Sequence, residues 1–137
     1  MKFELFEENN QELINTLIQG VREHRNKAYS KENGIPLIVT VKDKSGKLVG
    51  GISGVTIYKN FLINVLWVDI NQRGKGLGKE LMQRAEQFVK DRECLVAQVD
   101  TLSFQAPEFY QKLGFKIKGI ISGFEGSPER YFLLKEY

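Results

Sequence analysis

The chain has 137 residues, 42% of them hydrophobic and 27% charged, and a formal net charge of +3. Those are the proportions of one globular domain of 1–137 with a single core, and they exclude a disordered tail or a membrane protein. Basic residues alternate with acids along the chain, which argues against a nucleic-acid binder with its cations on one face. A local cationic site for a small anionic ligand remains open. The N-terminal "MKFELFEENN" carries acids where a signal peptide carries an apolar core, and no run approaches the roughly 20 apolar residues of a membrane span. The expected location is the cytoplasm, with no membrane partner. The lone cysteine, Cys94, sits in the apolar run "ECLVAQV", where it reads as a buried structural thiol and not as a nucleophile or metal ligand.

In chain order, Lys2 to Phe6 reads as a short strand. From about Asn10 to Arg25, Leu13, Ile14, Leu17, Ile18 and Val21 recur at helical spacing and mark one apolar stripe. "HRNKAYSKENG" is polar and aperiodic, a loop of the kind that walls a cleft, and its His24 reads as a surface residue. The period then changes to two. "PLIVTVKD" and "KLVGGISGVTIY" are strands joined by a hairpin turn at Lys44 to Lys47, and Gly50, Gly51 and Gly54 inside the second imply a bulge or a close backbone approach. Asn60 to Ile70 is nearly continuous apolar sequence, as a central strand covered on both faces requires. Leu81, Met82, Ala85, Phe88 and Val89 mark the inner face of a second helix. "CLVAQVDT" is another central strand. "APEFYQKLG" is a short helix with Pro107 in its first turn and Gly114 as its stop, and "FKIKGIIS" and "RYFLLKEY" close the chain as strands. The order β-α-β-β-β-α-β-α-β-β describes a mixed α/β (α+β) sheet.

Between the central strand and the second helix stands Arg73-Gly74-Lys75-Gly76-Leu77-Gly78-Lys79. A glycine costs a helix or strand about 0.5–1 kcal/mol relative to alanine, so this cluster needs a reason. A glycine loop at a strand–helix junction leaves the first N–H groups of the helix open to an anion, at the positive end of the helix dipole. Arg73, Lys75 and Lys79 add cations around it. Gly78-Lys79-Glu80 lacks the hydroxyl of a nucleoside-triphosphate loop, and the Gly-x-Gly-x-Gly spacing is not that of a dinucleotide fingerprint.

These residues resemble the GNAT superfamily of acyl-coenzyme A-dependent N-acyltransferases. Its Arg/Gln-x-x-Gly-x-Gly/Ala signature fits Arg73 to Gly78, "LWVDINQ" resembles its strand and lead-in, and "APEFYQKLGFK" resembles its second, tyrosine-bearing signature. The resemblance runs from about Leu37 to the C-terminus. It implies a mostly antiparallel, twisted sheet flanked by helices, with a splayed central strand pair. Acetyl-CoA would be the co-substrate, with no metal. The coenzyme would be held by Arg73, Gly74, Lys75, Gly76, Leu77, Gly78 and Lys79 at the pyrophosphate, and by Leu66, Trp67 and Val68 along the pantetheine arm. An N–H near Val68 would polarise the thioester. Trp67 itself reads as core or cleft wall.

The same resemblance implies direct attack by an amine, with Tyr110 as the acid that protonates the departing thiolate. Many members carry a glutamate as base where this chain has Gln98. Asp100, two residues on and on the same strand face, is the nearest carboxylate: it serves as base, orients the substrate or caps the next turn. Ser103 stands where many members use Asn on the pantetheine arm, leaving Thr101, Ser103 and Gln105 as contacts there. The acceptor is an amine of a small molecule or peptide, met by the least recognisable parts of the chain, among them "GFEGSPER" with Glu125 and Glu129. Dimerisation is common in the family, so a homodimer is an expected assembly. Gln98 also raises an alternative, a coenzyme A-binding module without catalysis that acts as sensor or interaction partner.

Overall fold

The computed structural model describes residues 1–28, 32–104 and 106–137, with residues 26–28 described in backbone only. Tyr29, Ser30 and Lys31 of the expected cleft-wall loop, and Gln105, lie outside the described residues. The chain forms two compact units, Met1–Asn33 and Gly34–Tyr137. In the first, α1 (Gln11–Ala28) starts where Asn10 accepts from the Leu13 N–H through its side chain (3.1 Å) and from the Ile14 N–H through its carbonyl (3.1 Å). The strand expected at Lys2 to Phe6 does not form. Leu5 and Phe6 are adjacent and would face opposite sides, which spoils the period-two pattern, and no ladder pairs the segment among the described residues.

The second unit is a six-stranded sheet in the order β1-β2-β3-β4-β6-β5. Its strands are β1 (Ile35–Lys42), β2 (Leu48–Ile57), β3 (Asn60–Val68), β4 (Val96–Leu102), β5 (Lys116–Ile121) and β6 (Arg130–Glu136). Every pairing is antiparallel except β3 with β4. That parallel pair needs a crossover, which is α2 (Leu77–Asp91). A short helix, α3 (Pro107–Lys112), precedes β5.

The β3–β4 ladder is only three residues long, Asn60–Leu62 against Val96–Gln98; beyond it the strands part. A bulge lies at the same place. Ser53 pairs with Val65 but Gly54 with Ile63, so Asn64 is an extra residue on β3. The bend beside the splay therefore sits on β3, and β2 carries its own bulge next to Gly50: Val41 pairs with Gly50 but Lys42 with Leu48, so Val49 is the extra residue there. Gly54 answers the other half of the expectation: a Cβ there would lie 2.5 Å from both the Leu62 carbonyl oxygen and the Phe61 ring, so only glycine lets β3 come this close.

Phe61, Ile63, Ala97 and Val99 face the core, where Leu81, Met82, Ala85 and Val89 of α2 join them. Phe88 departs from its expected inward position and is 55% exposed. At 100° per residue it falls at one edge of the buried arc, and Glu86 falls at the other. Glu86 is nevertheless buried, because Lys135 of β6 meets its carboxylate at 2.8 and 3.1 Å. No helix among the described residues is long and apolar enough to cross a membrane.

Candidate active site

The glycine loop is built almost wholly from backbone. β3 ends at Val68; Asp69 then caps a single 3-10 turn (Ile70–Gln72), its carboxylate accepting from the Asn71 N–H at 2.9 Å. Gly74 and Gly76 both have φ of +78°, the left-handed region that side chains resist, and a Cβ on either would meet nothing within 4 Å. Gly76 is the N-cap of α2 and offers no side chain to the first-turn N–H groups. Those donors, with the dipole behind them, face open space. Lys75 reaches the Gln72 side chain at 3.3 Å, and Lys79 lies exposed in the first turn.

Arg73 is tied to the end of β3: its Nε donates to the Val68 carbonyl at 3.2 Å. The direction of that carbonyl follows from the ladder. Asp69 N–H donates to the Val49 carbonyl at 2.8 Å, which makes 69/49, 67/51 and 65/53 the hydrogen-bonded pairs with β2. Leu66 and Val68 alternate with them, so their N–H and C=O groups point to the other side, where β4 has splayed away. The expected arm of Leu66, Trp67 and Val68 therefore divides. Leu66 and Val68 present backbone to the opening, while the half-exposed Trp67 ring lies on the outer face of the sheet.

Tyr110 comes to this region on α3. Pro107 starts that helix, and Gly114 (φ +97°) stops it while the Leu113 and Phe115 N–H groups both donate to the Tyr110 carbonyl at 3.0 Å. The Tyr110 ring is buried edge-on between Phe109 (5.2 Å) and Phe115 (5.7 Å). Burial first, and the Asp100 carboxylate second, push its phenol above the ordinary 10.0. Phe109 in turn touches α2 at Gly78, where a Cβ would stand 3.2 Å from the ring. The last signature glycine thus seats the tyrosine helix against the start of α2.

Asp100 points to the outer face of β4, as does Gln98, while Ala97, Val99 and Thr101 point inward. Gln98 is engaged at the apex of the splay: its amide donates to the Asn60 side chain at 2.9 Å, tying β4 to β3 where their ladder ends. Asp100 is paired as well. Arg130 donates to one oxygen, Oδ2, from Nε at 2.9 Å and from Nη2 at 2.8 Å. Sequence reasoning noticed the acids of this loop but missed Arg130, because only the β4–β6 register brings position 130 beside position 100. Ser103 is exposed at the end of β4, and its N–H donates to the Glu129 carbonyl at 2.9 Å.

The model of the acetyltransferase (GNAT) family matches residues 3–115. The blasticidin-S acetyltransferase of Streptomyces morookaense is 37% identical over 92 residues, covering 66% of this chain and 68% of that protein. A 1.9 Å crystal structure of an acetyltransferase from Bacillus cereus superposes with a TM-score of 0.82 at 27% identity, covering 97% of this chain and 98% of that one. A Bacillus anthracis structure solved in complex with acetyl coenzyme A shares the fold, with a TM-score of 0.67 at 20% identity over 81% and 67% of the two chains. With the paired signatures, the splayed sheet and these matches together, the chain belongs to the GNAT family and is an N-acetyltransferase of that type.

Proposed function

We propose that the chain, acting over 1–137 as one domain in the cytoplasm, moves an acetyl group from acetyl-CoA to a primary amine of a small molecule or peptide. The observation that carries this reading is the uncapped first turn of α2, set beside the part of β3 whose backbone faces no partner strand. The first would take the coenzyme's pyrophosphate, with Arg73, Lys75 and Lys79 contributing charge. The second would take the pantetheine arm as an added strand, along Leu66 and Val68. The family match runs through both compact units, which supports a single working domain. Relatives named for blasticidin-S and nourseothricin acetylation support a small-molecule amine, and one named for ribosomal-protein alanine supports a peptide amine.

In this reading the neutral amine attacks the thioester carbonyl, the C–N bond forms and the C–S bond breaks. The Val68 N–H stabilises the oxyanion. The ammonium proton passes to the free oxygen of Asp100, directly or through water, and Tyr110 gives its proton to the coenzyme thiolate. A raised phenol suits this task. It is the protonated form throughout the working range, and the thiolate forms in the same desolvated place, where its own basicity rises too. The test is to add acetyl-CoA and then an amine panel. Saturation at 100 times Kd adds about 2.7 kcal/mol of stability. A melting temperature that does not move, or a panel that releases no coenzyme thiol, overturns the reading.

A further inference from the structure

Asp100 and Arg130 make the charged part of the outer wall beside the splay. Arg130 opens β6 opposite Leu102, and its side chain crosses diagonally to Asp100, which stands opposite Phe132. Both contacts fall on Oδ2. Among the described residues, Asp100 Oδ1 and Arg130 Nη1 have no hydrogen-bond partner, and the two side chains are 42% and 53% exposed. The pair thus offers solvent one free acceptor and one free donor, of opposite charge and on the two side chains of one ion pair.

We infer that the acceptor is an amine that carries its own carboxylate, of the amino-acid type, with its ammonium on Asp100 Oδ1 and its carboxylate on Arg130 Nη1. Charge matching decides between this and a simple amine. A bare ammonium would share Asp100 with a guanidinium already bound to it, and a polyamine would meet a pair of no net charge. An acceptor with both charges gives each member of the pair a second partner and brings no net charge into the site. The Phe132 ring, 5.9 Å from the guanidinium and 40% exposed, offers footing for an apolar side chain. The chemistry also favours turnover. Once the nitrogen is acylated it has lost its charge and its hold on Asp100, so the product keeps only the Arg130 contact.

This inference rests on the reading of Asp100 as the carboxylate that meets the acceptor, and the experiment separates the two. Coenzyme thiol release is measured with L-phenylalanine and with 2-phenylethylamine, for the natural chain, Arg130→Met and Arg130→Lys. Comparing losses between variants cancels the different basicities of the two amines. Arg130→Met is expected to lower kcat/KM about tenfold more for the amino acid than for the amine, mainly through KM, and Arg130→Lys to recover part of it as a point charge without the fork. Equal losses for the two substrates overturn the inference. So does a natural chain that acetylates amines but no amino acid, and in that case the acetyltransferase reading stands. A chain whose melting temperature ignores acetyl-CoA would take both readings down. Should Arg130→Met fail to fold, the same double comparison with Arg130→Lys decides.

Discussion

The glycine loop and the Asp100 wall expose different parts of the chain. At the loop the open groups are backbone N–H donors, set by two left-handed glycines and an N-cap with no side chain. At the wall they are side chains, Asp100 held by Arg130 and Gln98 spent on Asn60, with the Tyr110 ring buried among aromatics on the core side. A backbone site tolerates exchange of its side chains but not of its glycines. A side-chain site has the opposite sensitivity, and substitutions can expose the difference.

The largest effect is expected at the wall. Tyr110→Phe removes the proposed acid while keeping the ring that packs on Phe109 and Phe115. It should lower kcat by about a hundredfold, the low end for a general acid, and leave the coenzyme Kd within about twofold. Steady-state kinetics beside calorimetric titration check both halves; an unchanged kcat removes Tyr110 from the chemistry. Its pH profile follows from burial and Asp100, which raise the phenol's pKa. The proton stays on to higher pH in the folded chain than in a free tyrosine. The acid form therefore persists to higher pH than in a free tyrosine, and the natural enzyme's kcat should show no descending limb near neutrality. A limb near neutrality would assign the acid to another group.

Next comes the backbone site. Gly76→Ala places a Cβ where nothing of the protein lies within 4 Å, toward the open ligand side, and forces alanine to φ near +78°. The left-handed conformation alone costs about 1–2 kcal/mol. Coenzyme affinity should fall about tenfold by titration, with kcat at saturation changed little. The reverse pattern, kcat lost and affinity kept, would place the loop's role in the chemistry.

This asymmetry also explains what the sequence made legible. Glycines at fixed spacing between an apolar strand and an amphipathic helix announce a backbone cradle, because no other residue relaxes there. The alternation of β1 to β6 and the apolar run of β3 likewise follow from local pattern. The splay does not: it comes from Asn64 bulging and from the ladder stopping at Leu62 and Gln98, both properties of pairing. Asp100 was found as a nearby carboxylate, but its partner Arg130 is 30 positions away and joins it only through register. Phe88 and Glu86 failed the simple periodic reading because the arc edges are decided by what lies opposite. A cation at Lys135 draws Glu86 in, and no such partner draws in Phe88.

A smaller effect tests the joint between the two regions. Gly78→Ala adds a methyl 3.2 Å from the Phe109 ring, so the ring must give by a few tenths of an ångström. In the first turn of α2 alanine gains only part of the roughly 1 kcal/mol it gains in a helix interior, so overall stability should hold. The displaced Phe109 carries its neighbour Tyr110 with it, and kcat should fall about threefold if Tyr110 is the acid, since small misplacements of a catalytic group are costly. A change in coenzyme affinity alone would instead make Gly78 a ligand contact.

The smallest effect belongs to the cations around the loop. Lys79 is exposed in the first turn of α2, where its charge opposes the positive end of the helix dipole. Lys79→Ala should therefore stabilise the free protein by a few tenths of a kcal/mol while weakening coenzyme binding only about twofold. Exposed charge–charge contacts contribute little, and the backbone donors remain. The two changes have opposite sign, so thermal melts without and with acetyl-CoA read them apart in one experiment. The affinity loss should also vanish at high salt, because screening removes the lysine's long-range contribution before it touches the short N–H contacts. A tenfold loss that survives 0.5 M salt would make the lysine, and not the helix end, the principal anchor. The loop would then be a side-chain site like the wall.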